Sequence, residues 1–402
     1  MNNCIVYIGD FDLRNENVQA HLVRNNGEIF ASLEYKIVYI GVNRELKTFG
    51  ELKSLPPLYF FGDLYYEVPN TFNHLGVIKC LSVCDFIINM LDEISENYNI
   101  KYVMTYQSPT YAIALTKIIK WSRKNGSKYI VNSADLPIFE LQSRLQRYVM
   151  KLNWDYLHRV NYDAADGIVA VSQYIQKFYY KVNRASIVVP PLFMRNDPTL
   201  KIKKQDIPCF VYAGTPFVIT GHEANPGGMK DRLDYIVDLM IELQKSNILF
   251  NFKIIGITKE DYVQSVPRHY DFCNSNRCIQ FLGKLSHENT IDEIKKADFS
   301  INYRDINLMT QAGFSTKIVE SVSLGTPVVI NSISDTFLYL ENGIDAFELS
   351  GNLNTDTQVL SDLCKMSAED RMTLKTKLFK KNIFAPKNYI QNFKTFFETL
   401  DG

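Results

Sequence analysis

The chain lacks a net charge, an apolar run of 18 residues, a Cys-x-x-Cys pair and any low-complexity tract, and each absence closes off a class of protein. Its 44 basic residues cancel its 44 acidic ones. A protein that neutralises many phosphates carries a basic excess, so no nucleic-acid partner is expected, although a single phosphate pocket needs only one or two cations. The most hydrophobic long stretch, residues 76–91, is broken by Lys79 and Asp85 and predicts a buried helix rather than a membrane span. Cysteines at positions 4, 80, 84, 209, 273, 278 and 364 sit mostly inside apolar runs and read as reduced, buried thiols. Asp10 and Asp12 fall where a secretory leader would carry its apolar core. A cytoplasmic location is the expectation.

What is present points to large cores. With 402 residues, 46% of them hydrophobic and 13% aromatic, the chain fits two domains. Short β-branched runs alternate with longer helical patterns throughout, which predicts an α/β class with parallel sheets. In the first half the strand candidates are Cys4–Ile8, Lys36–Ile40, Tyr102–Thr105, Lys128–Val131, Gly167–Val171 and Ser186–Val189. In the second half they are Cys209–Ala213, Asn251–Ile255, Ile279–Leu282, Phe299–Asn302 and Pro327–Asn331, with a strong helix over Arg232–Lys245 among them. Pro190 and Pro191 end a strand and stiffen the chain. The expected organisation is an N-terminal Rossmann-like domain over residues 1–190, a linker over 191–207, a C-terminal Rossmann-like domain over 208–385 and a terminal helix over 386–402. That helix carries Tyr389, Ile390, Phe393, Phe396 and Phe397 on one stripe, so it must pack on something, and the N-terminal lobe is the candidate.

No G-x-G-x-x-G fingerprint occurs, since Gly221 to Gly228 has the wrong spacing, so a simple dehydrogenase is not expected. In open parallel sheets ligands gather beyond the carboxyl ends of the strands. Four turns there carry matching chemistry. Cys209–Ala213 runs into Gly214-Thr215-Pro216, a glycine-rich loop, and Lys230-Asp231 ahead of the helix, where backbone amides and an ammonium suit an anion. Asn251–Ile255 ends in Gly256, and Ile279–Leu282 ends in Gly283-Lys284-Leu285, where backbone can approach a ligand closely. Phe299–Asn302 leads to Tyr303-Arg304-Asp305 and then to GFSTKIVESVSLGTPVVIN from Gly313, in which Thr316, Lys317 and Glu320 share one helical face.

The order strand-Gly-loop-Lys-Asp-helix, strand-Gly, Phe-Leu-Gly, and Gly-Phe-x-x-Lys-x-x-Glu-Ser-x-x-x-Gly-x-Pro-Val-Val resembles the donor-binding lobe of the GT-B fold glycosyltransferases of family 4, which are retaining enzymes. YQSPTYAI from Tyr106, DAADGIVAVSQYI from Asp163 and VVPPL from Val188 are similar to the family's bacterial polysaccharide-assembly members. The resemblance implies two Rossmann-like lobes and transfer of a hexose or N-acetylhexosamine from a nucleotide diphosphate sugar, with uridine the favoured base. The acceptor would be a saccharide of capsule, exopolysaccharide or O-antigen. No cofactor or metal is implied beyond the nucleotide sugar as co-substrate.

By the same resemblance Gly214 and Lys230 hold the diphosphate and Glu320 the ribose hydroxyls. Amides around Gly313, Phe314 and Ser315 face the sugar or its phosphate, Thr215, Gly256, Lys284, Leu285, Thr316 and Lys317 line the donor site, and Arg304 adds charge at the leaving group. Asp135, after the strand KYIVN, is the catalytic candidate from the first lobe, and Gly9 and Asp10 lie on its acceptor side. One departure stands out. The family's first glutamate falls on Ala312, leaving Gln311 and Asp305 as candidates to replace it.

Asp10-Phe11-Asp12 matches an Asp-x-Asp metal motif, but such a triplet is expected once by chance in a chain this acidic. The six histidines are scattered, and only His222 lies in the glycine-rich loop. Residues 141–159 interleave Arg144, Arg147, Lys151 and Arg159 with Tyr148, Leu152, Trp154 and Tyr156. That pattern suits an anionic membrane surface and a lipid-linked acceptor, and equally a core-facing helix with a solvated basic face. Two other functions stay open at this level. Ala312 fits a catalytically silent nucleotide-binding relative that acts as an assembly partner. A sugar-nucleotide 2-epimerase shares the two-lobed architecture but needs carboxylates and a histidine in its site.

Overall fold

The computed structural model describes residues 2–14, 18–43, 45–46, 57–60, 62–69, 77–106, 112–136, 144–195, 197–200, 204–220, 223–229 and 231–402. They form two units. The first comprises Met1–Leu192, Ala312–Phe314 and Pro386–Gly402, and the second Phe193–Gln311 and Ser315–Ala385.

In the first unit the strands are β1 (Asn3–Gly9), β2 (Lys36–Asn43), β3 (Leu58–Phe60), β4 (Asp63–Pro69), β5 (Asn99–Tyr106), β6 (Lys128–Ser133), β7 (Gly167–Ala170) and β8 (Ala185–Val188). They make one sheet in the order β3-β4-β2-β1-β5-β6-β7-β8. All described pairs are parallel except β3 with β4. Every residue of β1 after Asn3 is buried, as a strand covered by helices on both faces requires. Val6 pairs with Val38 on one side and Val103 on the other, so the centre of the sheet is a β-branched layer.

The second unit repeats the plan. Its strands β9 (Cys209–Ala213), β12 (Asn251–Ile255), β13 (Ile279–Gly283), β14 (Phe299–Asn302), β15 (Val328–Asn331) and β16 (Ala346–Leu349) form a parallel sheet in the order β13-β12-β9-β14-β15-β16. Helix Leu233–Lys245 buries Leu233, Ile236, Val237, Met240 and Leu243 against Phe210, Phe252 and Phe299. In both sheets the chain starts in the middle and reverses direction of growth, between β1 and β5 and between β9 and β14. These are the switch points at which open α/β sheets accept ligands.

The α/β class with two parallel sheets is as expected, and the elements the sequence pattern did not reveal are edges. β3, β4 and β16 lie at or next to sheet margins, and β4 reads Asp-Leu-Tyr-Tyr-Glu-Val-Pro, too polar to stand out as a buried strand. The glycine-rich stretch read as a loop is in part a hairpin, β10 (Phe217–Thr220) with β11 (Glu223–Met229). Helix Arg144–Tyr156 continues into a π-helical turn over Leu157–Tyr162.

The terminal helix Ile390–Asp401 packs within the first unit, as its apolar stripe demanded. Phe397 stacks on Tyr102 at 4.5 Å and lies 5.8 Å from Phe30, and Phe393 meets Phe30 edge-on at 5.1 Å. Gly167 opens β7 because Phe396 occupies the space a side chain would need, its Cζ 2.6 Å from an added Cβ.

Candidate functional site

Three glycine turns stand side by side at the carboxyl ends of β9, β12 and β13. The Gly214 N–H donates to the Ile255 carbonyl at 2.9 Å and the Gly256 N–H to the Gly283 carbonyl at 2.7 Å, so the ladder runs on past the strands. Gly256 has φ +106°, and a Cβ there would lie 2.2 Å from the Gly214 carbonyl oxygen. Only glycine lets these backbones approach so closely.

Beside this terrace, at the β9/β14 switch point, sits a fully buried carboxylate, Asp231. Two backbone bonds fasten it there: the Asp231 N–H reaches the Pro216 carbonyl at 3.3 Å, and the Arg232 N–H reaches the Tyr303 carbonyl at 2.8 Å. The Tyr212 hydroxyl donates to Asp231 Oδ2 at 2.7 Å and Arg304 Nε to Oδ1 at 2.7 Å. The Lys317 ammonium donates to Oδ2 as well. Burial alone would raise this carboxyl's pKa, but the Lys317 and Arg304 charges and the hydrogen bonds bring it down to about 2. The Tyr212 hydroxyl moves the other way, pushed well above its ordinary value by burial and by the adjacent carboxylate.

Lys317 lies in the first turn of helix Thr316–Ser323, where a cation opposes the helix dipole unless an anion joins it. Asp231 is that anion in the free protein. The ammonium presses against Gly214, at 1.8 Å from where a Cβ would be. Arg304 is fixed through its backbone, which exchanges hydrogen bonds with the Asn331 side chain at 3.0 and 2.7 Å. One turn along the helix from Lys317, Glu320 is half-buried, with His287 Nε2 at 3.8 Å from its Oε1. Lys317, Glu320, Ser321, Asn302, Ser300 and Ala213 line a small cavity beneath the helix.

The second unit therefore gathers Gly214, Gly256, Lys317, Arg304 and Glu320 around one strand edge. Thr215 and Lys284 are exposed on the same turns, Leu285 is half-buried, and Ser315 stands just before the helix that Thr316 opens, without a side-chain capping bond. Lys230 lies outside the described residues, as does His222. Gly313 and Phe314 fall in the first unit. Position 312 is a buried alanine, and of the two candidates to replace its missing carboxylate, Asp305 is ion-paired with Arg232 at 3.0 Å. Gln311 is half-buried on the short helix Leu308–Ala312.

In the first unit Gly9 is buried against the Tyr106 carbonyl, Asp10 is half-buried after β1, and Asp135 is exposed after β6. Asp12 is gripped by Arg14 through Nε at 3.0 Å and Nη2 at 2.8 Å, so the second acid of the Asp-x-Asp triplet is committed to an ion pair.

Two site residues escaped the sequence reading. Tyr212 passed as a core residue of its strand, and Asp231 as the polar start of a helix. The only available sign was an acid directly before an apolar helix and shortly after a glycine-rich loop.

No protein-family model and no curated protein sequence matches this chain. Solved structures do. Sucrose-phosphate synthase from Thermosynechococcus elongatus superposes with a TM-score of 0.65 at 10% identity, covering 99% of each chain. Anabaena HepE in complex with UDP and glucose matches with a TM-score of 0.63 at 12% identity over 98% of this chain and 99% of its own. The lipopolysaccharide outer core galactosyltransferase WaaB matches at 0.58 and 11% identity, covering 97% and 99%. The fold is that of the GT-B glycosyltransferases, over the length of the chain. At such identities the likeness speaks for architecture alone.

Proposed function

We propose that the protein is a glycosyltransferase that moves a hexose or N-acetylhexosamine from a UDP-sugar to a saccharide acceptor of a cell-surface polysaccharide, with retention at the anomeric carbon. The observation that carries the reading is the pair of cations, Lys317 and Arg304, held on one buried carboxylate against Gly214 at the switch point. Two cations bonded to a single carboxylate leave one positive charge in excess, which suits a diphosphate.

In the transfer the bond between the anomeric carbon and the β-phosphate oxygen breaks and its electron pair goes to the phosphate. The acceptor hydroxyl oxygen bonds to the anomeric carbon, and its proton passes to the departing phosphate. The charge that grows on that phosphate is what Lys317 and Arg304 stabilise, and fixed charge of this kind commonly contributes more to catalysis than any other single effect. Lys230 is a further cation for the same phosphates. Glu320 accepts from the ribose hydroxyls, the turns at Gly214, Gly256 and Lys284-Leu285 admit the nucleotide, and Gly9, Asp10 and Asp135 serve the acceptor. HepE's complex with UDP and glucose supports uridine and a hexose, and the likeness to WaaB, a galactosyltransferase of the lipopolysaccharide outer core, supports a surface glycan as product.

The acceptor we favour is lipid-linked, reached from an anionic membrane face. Tyr148, Leu152, Val160, Phe178, Tyr180 and Val182 are exposed apolar side chains, and among the described residues Lys151, Arg159 and Lys177 are exposed without an acidic partner. No described helix is long and apolar enough to cross a membrane. Cosedimentation with phosphatidylglycerol vesicles but not with phosphatidylcholine vesicles is the expected result.

The first test is a thermal-shift panel of UDP, GDP, ADP and dTDP, since a ligand of the native state raises apparent stability. UDP should give the largest shift, and release of UDP from UDP-sugars should follow. No shift with any nucleotide sinks the proposal, and a shift without turnover leaves only a nucleotide-binding relative.

A further inference from the structure

We infer that Asp231 is a positioning residue, which holds the Lys317 ammonium and the Arg304 guanidinium on one point so that both meet the donor diphosphate already aligned, with Tyr212 fixing the carboxylate in turn. This rests on the nucleotide-sugar reading above and adds to it a residue that touches no substrate.

Asp231 has no exposed surface, and both of its oxygens are occupied, Oδ1 by Arg304 and Oδ2 by Tyr212 and Lys317. It therefore acts through its partners. The partners keep open faces: the Lys317 side chain is 24% exposed and that of Arg304 11%. The two cations come from separate segments, one from the turn after β14 and the other from the helix at Thr316. Two like charges repel, and the shared anion offsets that repulsion so that they converge on one point before a diphosphate arrives.

The charge balance gives this role a distinctive sign. Replacing Asp231 by Asn raises the site's charge by one, so attraction for a diphosphate does not fall. The cations, no longer bridged, repel one another and lose alignment. Binding survives while the chemical step suffers, because preorganised charge matters in the transition state. Removing Lys317 has a different signature, with binding and rate lost together.

The experiment compares D231N, K317A, D231N/K317A and Y212F with the wild type, measuring UDP affinity by calorimetry and UDP-sugar turnover by UDP release. For D231N, UDP affinity should stay within about threefold of wild type or tighten while kcat falls by about thirtyfold or more. K317A should weaken UDP by about tenfold and lose kcat as well, and the double variant should be no slower than K317A within about threefold. Parallel losses of affinity and rate in D231N, or effects that multiply in the double variant, overturn the inference and show Asp231 to be merely structural. If D231N fails to fold by circular dichroism, Y212F decides. It should keep UDP affinity and lose several-fold in kcat, and wild-type turnover overturns the inference. A wild type that binds no nucleotide overturns the underlying reading and this one with it, whereas normal wild-type binding with proportionate losses in the variants overturns this inference alone.

Discussion

The two sheets share one strand order about their first strands, β1 and β9, yet the side chains gathered beyond those strands have opposite charge balance. Next to β1 and β4, one cation, Arg14, serves Asp12, Glu67 and Glu45 at 2.8 to 3.6 Å. Next to β9 and β14, one anion, Asp231, serves Lys317 and Arg304. The first arrangement leaves acid in excess and suits hydroxyl groups, which donate to carboxylates; the second leaves a cation in excess and suits a phosphate. The topology gathers loops beyond the strand ends in both units, and the ligand chemistry that suits each depends on a handful of side chains there.

Four changes test how far this contrast reaches. The largest effect is expected from K317A, which should lower turnover by about 100-fold or more, roughly 3 kcal/mol of transition-state stabilisation, in an assay of UDP release. If R14A does the same, the division of labour between the units is wrong. Next comes G256A. Its φ of +106° and the Gly214 carbonyl 2.2 Å from the new Cβ should cost about 2 to 3 kcal/mol of stability in urea unfolding, whereas G126A, at φ +73° with open space around it, should cost only about 1 kcal/mol.

A comparable effect follows from pH. The Asp231 carboxyl is lowered from 3.8 to about 2, so its contribution is complete above pH 3.8 and is lost as pH falls through about 2. That shift corresponds to roughly 2 kcal/mol, and D231N should flatten the acid limb of the stability curve in that window. The smallest effect belongs to R14A. Arg14 is partly exposed, so its loss should cost about 1 kcal/mol and leave the UDP-induced thermal shift unchanged.

Much of the fold was legible because buried parallel strands read as short, mostly apolar runs between helical patterns. β9, β12 and β14 occur where the pattern placed them, and helix Leu233–Lys245 starts within one residue of its expected position. Strands at the sheet margins were not legible, β4 next to the edge and β16 at it, since their composition is mixed. In the site, the glycines announced themselves by their position after strands. Lys317 and Glu320 could be grouped from helical spacing alone. Asp231 and Tyr212 could not, because they lie 19 residues apart and their contact is made through a strand end and a helix start.

By itself the sequence determined the alternation of strand and helix, the places where backbone must be glycine, and the presence of a few cations within a chain of zero net charge. These are local properties, set by side-chain volume, backbone freedom and spacing. Only the tertiary structure decided that Lys317, 86 residues from Asp231, and Arg304, 73 residues away, share its carboxylate. Charges so far apart in the chain meet only when a sheet with its switch point brings three loops to one edge, and burial there turns an ordinary aspartate into the common anchor of both.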